Sequence, residues 1–382
     1  MKLLKNPIVW IVIIVALVIV IGYRVTVKTA QQQAALKKKQ QIVELVDHEY
    51  NLYGIAITPP KTVWAVGSGG ILLHSVDDGE TWEERKLGPP EQVFSSISFP
   101  DKDNGWVVGT RGMILHTQDG GNTWKKTEKL YSKNSQTCSS ESLKIYYTKV
   151  FFLDSQHGWI VGEMGTVLMT TDGGNIWELV ETEKNLTTLN DIKFADAKTG
   201  WAVGEQGVII ASVDGGITWQ DQQSGAQTTL MSLEISPTDK NTLWVGGLEG
   251  TVLTTKNRGE AWEARTLRLE EEKISKHVYK IYEKESGTKG LGHNSIYTLA
   301  RNSQQYSFDD GIGWRPFMMD RETENMLKRG WMYDMIFRMD ADSVLDKQIA
   351  AGEVGESNFG WLVGKSGVVL KTVDSQNWKR VH

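Results

Sequence analysis

A single cysteine, Cys138, in a chain of 382 residues excludes an internal disulfide and any cysteine-rich metal cluster. It fits a periplasmic or a cytosolic protein equally. Proline is scarce as well, at 8 residues against 38 glycines and 15 tryptophans, a balance that points to repeated strands and tight turns. Histidine and cysteine form no cluster with metal-ligand spacing, so no metal site is expected. No serine nucleophile elbow occurs. The G-x-G elements follow strand-like segments without opening helices, which excludes a dinucleotide fingerprint, and no cofactor is expected. Charge is unevenly placed: residues 1–48 carry net +5 and the remainder net −10. So acidic a globular part is a poor match for nucleic acid.

Long apolar runs are absent except for one, PIVWIVIIVALVIVIGY at 7–23, flanked by Lys2, Lys5, Arg24 and Lys28. Trp10 and Tyr23 sit near its ends, where amphipathic rings favour the headgroup layer. Residues 1–28 therefore read as a single transmembrane anchor, at the short end of spanning length. The alternative is a cleaved signal peptide, but RVTVKTAQQQAA after the run offers no good small-x-small cleavage site. Basic residues on both sides leave orientation undecided by charge. A single-pass inner-membrane protein with its globular part on the periplasmic or lumenal side is expected, because one N-terminal anchor usually precedes an exported domain. Residues 29–48, rich in Gln, Ala, Lys and Leu, read as a helical stalk or a disordered tether.

What is present in quantity is a repeat. GWVVGTRGMILHTQDGGNTW (105–124) returns at 63–82, 158–177, 200–219 and 243–262. A fainter copy ends in SFDDGIGW (307–314), and a last one, with a shortened turn, covers 360–378. The closing tryptophans are Trp82, Trp124, Trp177, Trp219, Trp262, Trp314 and Trp378, with a base period of about 42 and longer gaps before the third, sixth and seventh. Each unit reads as four short strands joined by hairpin-length turns. The expected fold is all-β: a seven-bladed β-propeller with four-stranded blades over 49–382, preceded by the transmembrane helix. NLYGIAIT (51–58) reads as the first strand of blade one and WKRVH (378–382) as the last of blade seven. No strand is left to swap across the seam, so side-chain packing is expected to close the ring.

The turns fit S/T-x-D-x-G-x-x-W, the Asp-box pattern. The carboxylates of Asp77, Asp119, Asp172, Asp214 and Asp309 can accept hydrogen bonds from backbone N–H groups across the turn, and Asn257 keeps an acceptor in blade five. Gly79, Gly121, Gly174, Gly216 and Gly311 can take positive φ. The closing tryptophans can lie flat between blades. A turn repeated around a ring is structural, and the G-W-x-V-G element, with Trp64, Trp106, Trp159, Trp201, Trp244 and Trp361, reads as packing in the same way. His74 and His116 share one repeat position, which marks them as structural rather than ligands.

A glycosidase would need two facing carboxylates, and no pair stands out from the repeat. A sialidase's Arg-Ile-Pro element is missing. No catalytic residue is assigned. Three stretches break the repeat and read as insertions: 130–147, 266–300 and 315–359, the last with a possible helix over DRETENMLKRG. Its methionines suit an adaptable protein contact or a decoration packed on the blades. Candidate partner-binding residues are Arg111, Met318, Met319, Arg321 and Met326. The turn pairs Ser68/Gly69, Thr110/Arg111, Glu163/Met164, Glu205/Gln206, Leu248/Glu249 and Lys365/Ser366 differ in every unit, which reads as freedom from framework constraint.

GWVVGTRGMILHTQDGGNTW and its copies resemble the photosystem II stability and assembly factor family over about residues 50–382. The resemblance implies a non-enzymatic, monomeric propeller on the lumenal or periplasmic side that binds proteins while a membrane complex is assembled. The chain departs from the photosynthetic members in its acidic ring and lacks a concentrated arginine patch. A carbohydrate-binding or sialidase-like Asp-box propeller is the alternative.

Overall fold

In a computed structural model, described residues run from 50 to 382, except 128, 133–136, 140–144, 183–186, 267, 270–271, 274–276, 285–294, 301–302, 308–313, 317, 320–331, 338–359 and 373–376. The anchor and stalk therefore lie outside the described residues. Among the described residues no helix is long and apolar enough to cross a membrane.

The described strands form seven sheets of four to six strands and one two-stranded ribbon. Within each sheet four strands follow in chain order from the innermost outward, and in two sheets an earlier stretch of chain, Lys129–Ser132 with Thr137–Ser139 or Met318–Met319, adds to the outer edge. The innermost strands are Leu52–Thr58, Phe94–Ser98, Tyr147–Phe152, Leu189–Phe194, Leu230–Ile235, Val278–Lys284 and Met332–Phe337. Each packs on the next, and the last packs on the first, so the chain forms a β-propeller. We number the blades in that order. Every innermost strand carries a register shift at its second residue, as between Leu52 and Gly54 and between Met332 and Asp334. The second strand's last residue pairs with the innermost strand's first, as Gly67 does with Leu52. The turn between strands two and three therefore lies on the face where the innermost strand begins. The Asp-box turn, between strands three and four, lies on the opposite face.

The G-W-x-V-G element has a packing reason at each position. Its last glycine lies against the backbone entering the innermost strand; a Cβ on Gly67 or Gly109 would meet the carbonyl oxygen of Asn51 or Val93. Its first glycine pairs with a phenylalanine and leaves room for the ring: Gly158 with Phe152, Gly200 with Phe194. Where that phenylalanine is Ile57 or Ile235, the glycine becomes Val63 or Leu243. The position opposite a phenylalanine ring must be empty, and it fills where the ring is replaced by a shorter side chain.

The tryptophan joins blades. Trp64, Trp106, Trp159, Trp201, Trp244 and Trp361 are all at most 2 % exposed. Trp106 stacks on Phe152 of the next blade at 3.5 Å, and Trp159 on Phe194 at 3.6 Å. The same phenylalanines meet the closing tryptophan of their own blade edge-on, Phe152 with Trp177 and Phe194 with Trp219. A Cβ on Gly121, Gly174, Gly216 or Gly79 would strike Trp64, Trp106, Trp159 or Trp361 of the preceding blade. The closing tryptophans are less uniform than expected. Trp177, Trp314 and Trp378 are buried, whereas Trp82, Trp124, Trp219 and Trp262 are only half-buried. Both rings meet between blades: the second-strand tryptophan lies on the neighbour's turn, and the neighbour's closing tryptophan packs on it, as Trp124 does edge-on with Trp64.

The seam between the last and first blades uses the same parts. The Trp361 Nε1 donates to the Asp78 carbonyl at 3.3 Å, and Lys371 reaches Glu80 at 2.8 Å. Leu52, Ile55, Trp361 and Val363 share one apolar cluster. Among the described residues, no strand crosses the seam.

Two stretches expected as insertions carry blade strands. Val278–Lys284 and Ser295–Ala300, within 266–300, are the first two strands of blade six. Met332–Phe337, within 315–359, is the innermost strand of blade seven. They escaped notice because blade six lacks the tryptophan signature: Tyr297, buried at 2 %, stands in its place. Met332 and Met335 are core residues at 3 % and 2 % exposure, not an adaptable surface. Within 130–147, Lys129–Ser132 and Thr137–Ser139, which holds Cys138, form a hairpin on the outer edge of blade three. Tyr147 already belongs to that blade's innermost strand.

The inter-blade contact predicts a graded response at two adjacent glycines. Gly121 has φ +80° and no room beneath Trp64, so Gly121→Ala should cost about 2–3 kcal/mol. Gly120, also at positive φ, corresponds to Asp78 and Arg258 in other blades, and Gly120→Asp should cost no more than about 1 kcal/mol. Thermal melts of the two variants, followed by tryptophan fluorescence, check the ranking.

Candidate functional site

The Asp-box turns close on themselves. In blade two the Thr117 hydroxyl donates to Asp119 Oδ1 at 2.8 Å and accepts the Gly121 N–H at 2.9 Å. Thr123 donates its N–H to Oδ1 and its hydroxyl to Oδ2, at 2.8 and 2.6 Å. Asp77, Asp172 and Asp214 are held alike, with Ile176 in place of the threonine in blade three. Asn257 accepts the Ala261 N–H at 3.1 Å in blade five. The Thr123 hydroxyl and N–H, with the Thr117 hydroxyl, hold the Asp119 carboxyl down at about 2. The carboxylates of these turns serve as acceptors for the turn's own hydroxyl and N–H donors. Asp309 and the blade-seven turn lie outside the described residues.

His74 and His116 stack on their own blade's tryptophan, His74 on Trp64 at 3.9 Å and His116 on Trp106 at 4.4 Å. Burial, helped by Lys125, pushes His116 down to about 4. Among the described residues no group of three or more His, Cys, Asp or Glu could hold a metal ion.

The centre of the ring is different in kind. The third residue of each innermost strand reads Gly54, Ser96, Lys149, Asp191, Ser232, Lys280 and Asp334 around the ring. Where that residue is an acceptor, it bonds the next blade's backbone: Ser96 takes the Val150 N–H at 3.3 Å, Asp191 the Leu233 N–H at 2.9 Å, Ser232 the Ile281 N–H at 3.2 Å and Asp334 the Ile55 N–H at 3.3 Å. The last of these crosses the seam. Lys280 lies 3.4 Å and Lys149 4.0 Å from Asp334, while Lys193 and Glu234 pair at the fifth position. Three lysines thus face three carboxylates. Burial would raise the Asp334 carboxyl, but Lys280, Lys149 and two backbone N–H groups outweigh it and hold the group down. Burial lowers Lys149, assisted by Lys280. Burial also opposes the charge on Lys280, yet Asp334, Asp191 and Glu234 outweigh it and push that amine up. No two carboxylates of this layer are left as an acid/base pair, since each is already bound to a lysine or to backbone N–H groups.

The turns between strands two and three share one backbone. Gly69, Arg111, Met164, Gln206, Glu249 and Ser366 all have φ between 57 and 76°, and a glycine of positive φ follows each. The expectation that both residues of each pair are free holds for the second alone. The first often ties down the chain entering the innermost strand: Ser68 accepts the Asn51 N–H, Thr110 that of Val93, Glu163 that of Tyr146 and Glu205 that of Thr188. Arg111 is exposed and paired with Glu91 at 3.2 Å, and Met164 is 62 % exposed. Met318–Met319 is a short strand pairing in parallel with Asn377–Arg380, so its backbone belongs to the outer edge of blade seven. Arg321 and Met326 lie outside the described residues. Sequence reading missed the charged layer, because single Lys and Asp residues in alternating strands carry no motif.

This architecture defines an all-β propeller built on one recurring turn and one recurring inter-blade tryptophan. A family model described as PSII_BNR, Photosynthesis system II assembly factor YCF48, matches residues 86–187 and 177–272. The chain belongs to the photosystem II assembly factor-like propellers. It is 50 % identical over 44 residues to Photosystem II assembly protein Ycf48 of Synechococcus sp. (strain JA-3-3Ab), a stretch spanning 11 % of this chain and 13 % of that protein. The solved structure of YCF48 bound to D1 peptide is similar with TM-score 0.61 and 19 % identity, covering 85 % of this chain and 94 % of that one. YCF48 from Cyanidioschyzon merolae gives 0.60 and 20 %, covering 85 % and 95 %. An ancestral GH74 enzyme gives 0.64 at 12 %, covering 87 % of this chain and 46 % of that one. At these identities the structural likenesses show the fold alone.

Two measurements test the site's electrostatics. Asp334→Asn leaves Lys280 buried without its partner and should cost about 3–5 kcal/mol, and less in a Lys280→Met background. Urea unfolding of the double-mutant cycle reads that coupling. Because His116 is depressed in the fold, the unfolded chain takes up its proton first. Its stabilising contribution is complete above about pH 6.5 and is lost as pH falls towards about 4. His116→Met, with the residue that blade three uses at Met169, should flatten the melting temperature between pH 7 and pH 4.5.

Proposed function

We propose that this chain is a membrane-anchored, seven-bladed, Asp-box propeller that binds other proteins, acts during assembly of a membrane complex and catalyses no reaction. The observation carrying this reading is the central layer, where the carboxylates that could serve as acid and base are occupied by lysines and backbone N–H groups. A hydrolase would need two carboxylates free to face a sugar, so the likeness to a GH74 enzyme gives no support to a glycosidase. The family repeat supports a protein partner, and the YCF48 bound to D1 peptide supplies the precedent. The apolar run at 7–23 supports a single-pass anchor, with domain limits near 28 and 48 and the propeller on the periplasmic or lumenal side as a monomer. The face carrying the protruding Arg111, Met164, Gln206 and Glu249 is the recognition face, since its backbone is constant and its side chains differ from blade to blade.

Photocrosslinkers placed at Met164 and Gln206, and at Val76 and Val213 on the Asp-box face, test this in native membranes. Capture of one membrane complex from the first pair alone is expected. Equal capture from both pairs, or none from either, would overturn the assignment of the face. Release of reducing ends from oligosaccharides by the purified full-length protein would overturn the non-enzymatic reading.

A further inference from the structure

Lys149 is the lysine of the central layer that its neighbours leave short of partners. It leaves blade three at the third position, and its amine comes within 4.0 Å of Asp334 in blade seven. That carboxylate is already taken: Lys280 lies 3.4 Å from it, and the Ile55 and Met335 N–H groups donate to it. Asp191 accepts the Ile192 and Leu233 N–H groups, and Glu234 is bonded to Lys193. Among the described residues the Lys149 amine has an ion partner at a distance and no hydrogen-bond partner. It is also the most open of the three groups that meet here. Its side chain is 20 % exposed, against 8 % for Lys280 and 9 % for Asp334. The mouth above the layer is uneven in the same sense. Beside Lys149, on blades two, three and four, the residue at the register shift is short: Ser95, Thr148 or Asn190, each donating to a carbonyl of the next blade. On blades six, seven and one it is Tyr279, Tyr333 or Tyr53, with 4.9 Å between the ring centroids of Tyr53 and Tyr333 and 6.4 Å between those of Tyr333 and Tyr279.

The groups around the amine set its chemistry. Burial opposes its charge, and so do Lys280 and Lys193, while Asp334 and Asp191 favour it; burial and Lys280 prevail and hold the amine below the usual lysine range. A desolvated lysine beside a second cation is an activated nucleophile. The layer also selects the electrophile. Its three lysines balance Asp191, Glu234 and Asp334. Acylation would remove one positive charge and leave a buried carboxylate in excess. Condensation with an aldehyde need not. The Nζ lone pair attacks the carbonyl carbon, and a C=N bond replaces C=O. The oxygen leaves as water with the two amine hydrogens, and the imine, once protonated, is again a cation beside Asp334.

We propose that Lys149 is a nucleophilic amine at the centre of the ring, a site that takes small aldehydes as a covalent imine. The modification is stoichiometric, in keeping with a protein that turns over no substrate. It stands on the central layer alone and does not depend on the protein-binding reading above.

The test treats the full-length protein with limiting propionaldehyde and sodium cyanoborohydride at neutral pH, which reduces each imine to a stable alkylamine, and quantifies every modified lysine by peptide mass mapping. Lys149 should be alkylated at least about fivefold faster than Lys102, whose side chain is 77 % exposed. That preference should vanish in concentrated urea, where the layer no longer exists. In the folded protein the rate at Lys149 should reach its plateau at a lower pH than the rate at Lys102. Lys280→Met removes the neighbouring cation and releases Asp334 to Lys149, so it should slow alkylation of Lys149 by about 3–10-fold and leave Lys102 unchanged. If Lys280→Met fails to fold by tryptophan fluorescence, the pH profile and the urea comparison on the unaltered protein decide. Equal rates at Lys149 and Lys102 in the folded protein, a preference that survives urea, a pH profile matching that of Lys102, or indifference to a folded Lys280→Met overturns the proposal.

Discussion

The ring rests on one recurring contact, a tryptophan on the second strand of a blade pressed against the Asp-box turn of the next, as Trp64, Trp106, Trp159, Trp201 and Trp361 are. The turn must be glycine where the ring arrives, because a Cβ on Gly121 or Gly174 would occupy the space of Trp64 or Trp106. The turn must also be rigid, and its aspartate makes it so by gathering hydroxyl and N–H donors onto one carboxylate. The aromatic stack of Trp106 on Phe152, with Trp177 edge-on, then seals each blade to its neighbour. Repeating that unit closes the ring and leaves each blade only short edges.

A second constraint acts at the centre. Seven innermost strands converge where water is largely excluded, and their third residues form a layer of compensated charge rather than an apolar plug. Such a layer is weak evidence for stability, but it fixes register: Asp334 can satisfy Lys280 and the Ile55 N–H only when the last blade sits correctly against the first. Among the described residues no strand is exchanged across the seam, and this buried carboxylate, Trp361 and the Lys371–Glu80 pair join the last blade to the first.

The two faces of the ring are therefore unlike. The Asp-box face spends its carboxylates and glycines on its own turns and on the incoming tryptophans, and exposes Val76, Ile176, Val213 and Ile217. The opposite face spends its backbone on uniform left-handed turns and leaves Arg111, Met164, Gln206 and Glu249 exposed. A non-glycine residue in that conformation costs about 1 kcal/mol. Five such residues on one face are a standing cost that the framework alone does not require, since Gly69 serves blade one.

Much of this was legible in the chain. The repeat determined the strand order, the turns and their glycines, because each is a local demand of backbone geometry that recurs with the same residues. The structural place of His74 and His116 followed from repetition as well. The first two strands of blade six and the innermost strand of blade seven were not legible, because Tyr297 replaces the signature tryptophan and Met332 and Met335 read as surface until they are seen packed. The pairing of Lys149 and Lys280 with Asp334, and the meeting of Tyr333 with Tyr53 and Tyr279, join residues up to 280 positions apart. Only closure of the ring brings them together. The sequence by itself determined the unit and its turns, through local sterics; the tertiary structure alone decided what stands at the centre and at the mouth, because those neighbours are made by the ring and not by the chain.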